Sequence, residues 1–346
     1  MRTYSILFMI GVLTINAAAQ NSIKILTEKN GISVRGLSVP NNKTIWASGS
    51  SGSIAKSVDG GENFEWQQVK GYEKRDFRAI HAFNEKEAII VAVAAPAIIL
   101  KTIDGGINWY KVYENTDTSM FLDAIHFKDP QNGLIVGDPI DNEFFVLRTT
   151  DKGEHWERQK TGYFKTAKKE GESFFASSNS NISSAYDFEL LVSGGKVSRL
   201  WINGKAQDLP LVQGGSSTGA NSIAVSPKQN ALIIVGGDFT KVQAAENNIA
   251  GFILVKPYND KLINQNNSLW DINPKLGNPH GYKSSVVFVD EITLIACGTS
   301  GVDLSKDGGK NWDLISTNSF HVVQKQPNSQ SVILAGSGGR IALLNL

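Results

Sequence analysis

Nine polar residues stand where a repeated chain could bring their chemistry together. Arg35, Arg78, Asp123 and Asn221 each open a short, largely apolar run: Arg35-Gly36-Leu37-Ser38-Val39, Arg78-Ala79-Ile80-His81-Ala82-Phe83, Asp123-Ala124-Ile125-His126-Phe127 and Asn221-Ser222-Ile223-Ala224-Val225. His321 opens a comparable run, Lys283 lies one residue before the matching place with Tyr282 beside it, and Asp138 and Asp238 each follow a second apolar run. Arginine pairs hold carboxylates through parallel N–H donors, and opposed carboxylates can hydrolyse glycosidic bonds. The set suits recognition of a mixed-charge partner or glycoside chemistry. The plain alternative is that it solvates a rim and caps strand ends.

Catalytic requirements narrow the choice. Sialidase chemistry needs three arginines on one carboxylate, a Tyr–Glu nucleophile pair and an acid/base Asp. Arg35, Arg78 and either Arg199 or Arg340 could be counted, but the Phe/Tyr-Arg-Ile-Pro entry motif is missing and nothing in the spacing joins Tyr282 to Glu172. Asp123, Asp138 and Asp238 remain as carboxylates for another glycosidase. No His-Glu-x-x-His ligand spacing and no Gly-x-Gly-x-x-Gly dinucleotide turn occurs. Catalytic residues, metals and cofactors are therefore all expected to be none.

The elements that position these residues come from a repeat. The phrase Ser/Thr-x-Asp-x-Gly-x-x-aromatic occurs four times: on Ser57, Asp59, Gly61 and Phe64; on Thr102, Asp104, Gly106 and Trp109; on Thr149, Asp151, Gly153 and Trp156; and on Ser305, Asp307, Gly309 and Trp312. Such a phrase is a turn. Asp accepts from the following amides and Gly supplies a positive φ, so these aspartates are structural. Asp59 to Asp104 is 45 residues, Asp104 to Asp151 is 47, and Asp151 to Asp307 is 156, which is three steps of 52. That period fits a four-stranded propeller blade. Second strands read Thr44-Ile45-Trp46-Ala47, Ala88-Ile89-Ile90-Val91, Gly133-Leu134-Ile135-Val136 and Leu232-Ile233-Ile234-Val235.

Seven units result, at about 32–70, 77–114, 121–160, 171–213, 219–275, 281–317 and 319–346. The last has only three strands, and a strand at 23–27 is the expected donor of its fourth, closing the ring and removing open edges. The expected fold is all-β: one seven-bladed β-propeller of four-stranded antiparallel blades over 20–346. The Ser/Asn-rich stretch from Ser173 to Asn181 reads equally as strand or loop.

Composition sets outer bounds. Basic and acidic residues balance at 34 against 33, which gives no footprint for nucleic acid. The single Cys297 excludes an internal disulfide. Arg2, the apolar run Ile6–Leu13 and Ala17-Ala18-Ala19 read as a leader over 1–19, too short in its apolar core to stay as a membrane span. A periplasmic or secreted monomer without membrane insertion is expected.

The four turns resemble those of Asp-box (bacterial neuraminidase repeat) propellers. The mature chain is similar to the photosystem II stability/assembly-factor-like branch of that group, through Phe77-Arg78-Ala79-Ile80, Val235-Gly236-Gly237-Asp238-Phe239, Gly281-Tyr282-Lys283-Ser284, Phe320-His321-Val322-Val323 and Gly339-Arg340-Ile341. The resemblance implies an exported, seven-bladed, non-catalytic scaffold with a protein partner in the cell envelope. A glycan partner, or a glycoside hydrolase, is the alternative. Relatives occur in organisms without photosynthesis, so no photosynthetic role is implied.

Overall fold

The computed structural model describes residues 22–159, 162–254, 270–273 and 275–346. The leader expected over 1–19 lies outside the described residues. Among these, all the helix and sheet structure is strand, arranged as antiparallel meanders.

Strand β1 (Ile23–Thr27) opens the described chain. The next sheet is β2 (Val34–Ser38), β3 (Ile45–Gly49), β4 (Ser53–Ser57) and β5 (Glu65–Gln68), and the following one is β6 (Phe77–Ala82), β7 (Ala88–Ala92), β8 (Ala97–Thr102) and β9 (Tyr110–Asn115). A third comprises β10 (Leu122–Phe127), β11 (Gly133–Ile140), β12 (Glu143–Thr149) and β13 (Glu157–Arg158). Then comes a nine-stranded sheet. It holds β14 (Glu172–Ser173), β15 (Ile182–Ala185), β16 (Phe188–Gly195), β17 (Arg199–Ile202) and β18 (Lys205–Asp208), followed by β19 (Thr218–Val225), β20 (Ala231–Asp238), β21 (Ile249–Leu254) and β22 (Trp270–Ile272). Two meanders are joined there by the single register pair Gly194↔Gly219. Gly219 has φ +113°, and a Cβ on it would lie 2.6 Å from the Gly194 Cα, so glycine is what lets the two strands meet.

Two more sheets complete the chain: β23 (Ser285–Phe288) to β24 (Leu294–Gly298), β25 (Gly301–Ser305) and β26 (Asp313–Ser316), and then β27 (Val322–Lys325), β28 (Val332–Ala335) and β29 (Ile341–Leu344). Here β1 returns as the fourth strand, antiparallel to β29 in the register Ile23↔Leu344 and Ile25↔Ala342.

Middle strands are buried on both faces, because each sheet is covered by a neighbour on either side. Ile89, Ile90, Ile99 and Leu100 are fully buried, and the strands read as continuous apolar runs rather than alternating ones. Fourth strands face water and are polar, as in Glu65–Gln68 and Lys205–Asp208, which protects the sheet edges. The core lies between sheets. One cluster packs Trp46 and Ile54 against Phe77 and Ile90; another packs Val34, Leu37 and Ala47 against Val322, Ile333 and Ile341, joining the first sheet to the last. The innermost strands β2, β6, β10, β15, β19, β23 and β27 touch in that order, and β27 returns to β2.

Candidate functional site

The innermost strands carry one irregularity in common. Pairing to the second strand skips a residue in β2 between Val34 and Gly36, in β6 between Phe77 and Ala79, in β10 between Leu122 and Ala124, and in β19 between Ala220 and Ser222. The skipped residues are Arg35, Arg78, Asp123 and Asn221. A bulge takes one residue out of the ladder and re-aims its side chain, so four bulges at one level gather four polar groups at one mouth of the ring.

Arg35 donates from Nη1 to the Ser177 carbonyl at 3.1 Å and forms no ion pair among the described residues. Burial, and then the neighbouring Arg78 guanidinium, hold its pKa below the ordinary value. Arg78 pairs through Nε with Asp76 Oδ2 at 2.7 Å. His321 lies against both: burial, then Arg35 and Arg78, push it down to about 3, so its imidazole is neutral, 3.0 Å from the Ser337 hydroxyl. The Tyr282 hydroxyl donates to Asn221 Oδ1 at 2.9 Å.

The carboxylates differ in accessibility. Asp123 is fully buried, and neither of its oxygens accepts a hydrogen bond. The Ala176 amide lies near enough to favour its charge but outside hydrogen-bond geometry. Burial and then Asp138 raise its pKa well above the usual range. Asp138 is half-buried and raised to about 6 by burial, opposed by the Ser173 hydroxyl and the Phe174 amide. Asp238 is spent on its own turn, accepting from Thr240 Oγ1 at 2.7 Å, Ser217 Oγ at 2.7 Å and Thr240 N at 3.0 Å. That turn holds the Phe239 ring 46% exposed, 6.0 Å from Phe175 and 6.3 Å from Tyr282 between centroids.

Lys283 does not join the others. Its ammonium is buried beneath the 298–301 turn, 2.6 Å from Asp303 Oδ2, and donates to the His280 carbonyl and the Ser300 hydroxyl, both at 2.6 Å. A register offset of one residue reverses the face of a strand, and Lys283 is one residue out of step with Arg35 and Arg78.

Sequence reasoning missed the segment 174–181, which crosses the axis of the ring. Asn179 Nδ2 donates to the Ile80 carbonyl at 3.0 Å and its Oδ1 accepts from the Ile125 amide at 2.8 Å. Ser178 Oγ donates to the Ser284 carbonyl at 2.6 Å, and Ser180 Oγ to Ser222 Oγ at 2.8 Å. With Arg35 on the Ser177 carbonyl, this segment ties together β2, β6, β10, β19 and the start of β23, and it blocks the channel. Its Ser/Asn-rich composition marked the stretch as strand or loop, and it is loop; its place across the ring carried no local signal, since its partners are remote strands. The Gly215-Ser216-Ser217-Thr218-Gly219 stretch also escaped notice. It has the letters of a nucleophile turn, but it runs into a strand, and Ser217 donates to Asp238 rather than to a histidine.

The repeated turns lie at the opposite end of the sheets, between third and fourth strands. Ser57 Oγ donates to Asp59 Oδ1 at 2.8 Å and accepts from Gly61 N at 2.9 Å, while Asp59 Oδ1 accepts from Asn63 N at 3.0 Å. The same set recurs on Thr102, Thr149 and Ser305 with Gly106, Gly153 and Gly309. The Asn63 amide, then its side chain, hold Asp59 below the usual carboxylate range. These acids are occupied by their own turns.

A cavity of about 1000 Å³ lies apart from the mouth, between Asp141–Phe144 and the stretch Tyr163–Lys168, and none of the nine polar residues lines it. Among the described residues no three His, Cys, Asp or Glu side chains are grouped to hold a metal.

No protein-family model matches the chain. No curated protein matches it either. Solved structures do. The chain is similar to YCF48 from Cyanidioschyzon merolae with TM-score 0.62 and 16% identity, covering 94% of this chain and 99% of that one. It is similar to YCF48 bound to D1 peptide with TM-score 0.58 and 16% identity, covering 92% and 96%. The WD40 β-propeller domain of Doa1 aligns with TM-score 0.58 and 11% identity, covering 94% and 97%. The shared fold is the β-propeller.

Proposed function

We propose that this chain is an exported, seven-bladed Asp-box propeller that works without catalysis as a protein-binding scaffold in the cell envelope, and that the Arg35/Arg78 mouth takes the partner. The seven-blade reading divides the nine-stranded sheet at Gly194↔Gly219, and β1 serves as the closing strand.

One observation carries the binding site. Two guanidiniums neighbour each other, only that of Arg78 is paired with a carboxylate, Asp76, and a neutral imidazole lies in their field. Burial, and then Asp138, push the pKa of Asp123 well above the usual range, which lessens its countercharge. Such a group favours a carboxylate-bearing partner. The solved complex of YCF48 with D1 peptide supports a peptide or protein ligand for a propeller of this shape.

Glycoside hydrolysis is the second reading, favoured by the raised pKa of Asp138. Its machinery is incomplete. Asp123 is sealed from substrate and Asp238 is committed to its turn. Tyr282 bonds to Asn221, while Glu172 is locked to buried Arg199.

The test is capture from native envelope extract on the immobilised chain and on its Arg35→Glu/Arg78→Glu variant, with circular dichroism of both. A protein retained by the first and lost by the folded variant supports the reading. Degradation of envelope polysaccharide, abolished by Asp138→Asn, would replace it with the second.

A further inference from the structure

Segment 174–181 turns the channel into two blind ends. One is the arginine mouth. The other is a pit of about 400 Å³ formed by the far ends of the innermost strands, floored by Asn179 and Ser180 and within the size range of small-molecule sites. The two share no strand end, so the pit is independent of the partner site proposed above.

The lining of the pit contains no charged side chain. An ammonium, carboxylate or phosphate entering it would lose water without gaining a counter-ion. Its two histidines are neutral: burial and then His126 push His81 down to about 3, and burial pushes His126 down to about 4.

Hydrogen-bonding capacity remains unspent around the wall. Gln324 on β27 and Ser183 on β15 are half-buried and, like His81 on β6, make no side-chain hydrogen bond among the described residues. They belong to three separate sheets, with Val225, Val287 and Phe127 between them. The His81 ring is itself fixed, 4.6 Å from Phe127 and 4.8 Å from Phe83 between centroids. The floor is equally rigid, since both Asn179 amide groups are bonded to backbone.

We infer that this pit is a binding site for a neutral sugar residue, the end of a glycan or a free pyranose. A pyranose carries hydroxyls around its edge and C–H groups on its faces. That pattern matches uncharged donors and acceptors set apart on an aliphatic and aromatic wall, in a cavity that rejects charge.

The experiment is saturation-transfer NMR on the full chain with methyl glucoside, methyl galactoside and N-acetylglucosamine, alongside glucuronate and glucosamine as charged counterparts. At least one neutral sugar should bind with Kd in the millimolar range or tighter, and about tenfold more tightly than the charged sugars. Val225→Trp, which fills the pit, should abolish the signal. Gln324→Leu/Ser183→Ala, which keeps its volume, should weaken binding about tenfold. Arg35→Glu/Arg78→Glu should leave binding unchanged. The inference is overturned if no neutral sugar transfers saturation by about 50 mM, if charged sugars bind equally well, if binding survives in folded Val225→Trp, or if it is undiminished in folded Gln324→Leu/Ser183→Ala. It is likewise overturned if binding disappears with the arginine variant, which would move the sugar to the other mouth.

Discussion

At the residue scale, charge is decided by company more than by residue type. Asp59 and Asp138 carry the same side chain, yet one is held below the usual range by amide donors and the other is raised to about 6 by burial. The sign for stability follows. A carboxyl raised in the folded state favours folding at pH values below its unfolded pKa, and that advantage is lost as pH rises through about 6. Asp138→Asn, which cannot ionise, should therefore be about 1–2 kcal/mol more stable than the parent at pH 8 and show no such gain at pH 4, the unit-shift value being reduced for partial exposure. Urea denaturation at the two pH values measures this. The repeated turns allow a second substitution. Thr102→Val should cost about 1–3 kcal/mol, because the Gly106 amide loses its buried acceptor, and thermal unfolding will read the loss.

At the element scale, the bulges make the mouth. Deleting Ala79 would restore an unbroken ladder between β6 and β7 and should turn Arg78 from the axis. Binding of the captured partner should then fall, as it should in Arg35→Glu/Arg78→Glu, while the circular dichroism spectrum stays that of a sheet protein. Strands and turns were legible in the sequence because their signals are local: Ala88–Ala92 is apolar and short, and Ser57, Asp59 and Gly61 each perform their part within five residues. That Arg35, Arg78, Asp123 and Asn221 begin matching runs could also be read there. Their removal from the ladder could not, since a bulge changes spacing by one residue without changing composition. The same small unit misplaced Lys283, whose buried partner Asp303 lies 20 residues away. Segment 174–181 was least legible, because Ser and Asn side chains that bond to distant strands look the same as those that bond to water.

At the scale of the whole molecule, apolar clusters hold each sheet to the next, so stability is distributed around the ring. Trp46 sits in one such cluster with no exposed surface, and Trp46→Ala should cost about 3–5 kcal/mol in urea denaturation. The pairing of β1 with β29 has a consequence in time. Ile23 meets Leu344, its partner 321 residues later, so the first described strand in sequence has no partner to pair with until nearly all the rest has been made. Closing so long a loop costs about 5 kcal/mol of chain entropy, and that cost is offset only when every intervening sheet already stands in place. Ring assembly is thus a late, single commitment, and until it occurs β29 offers a bare edge to any strand that arrives first, including one from another copy.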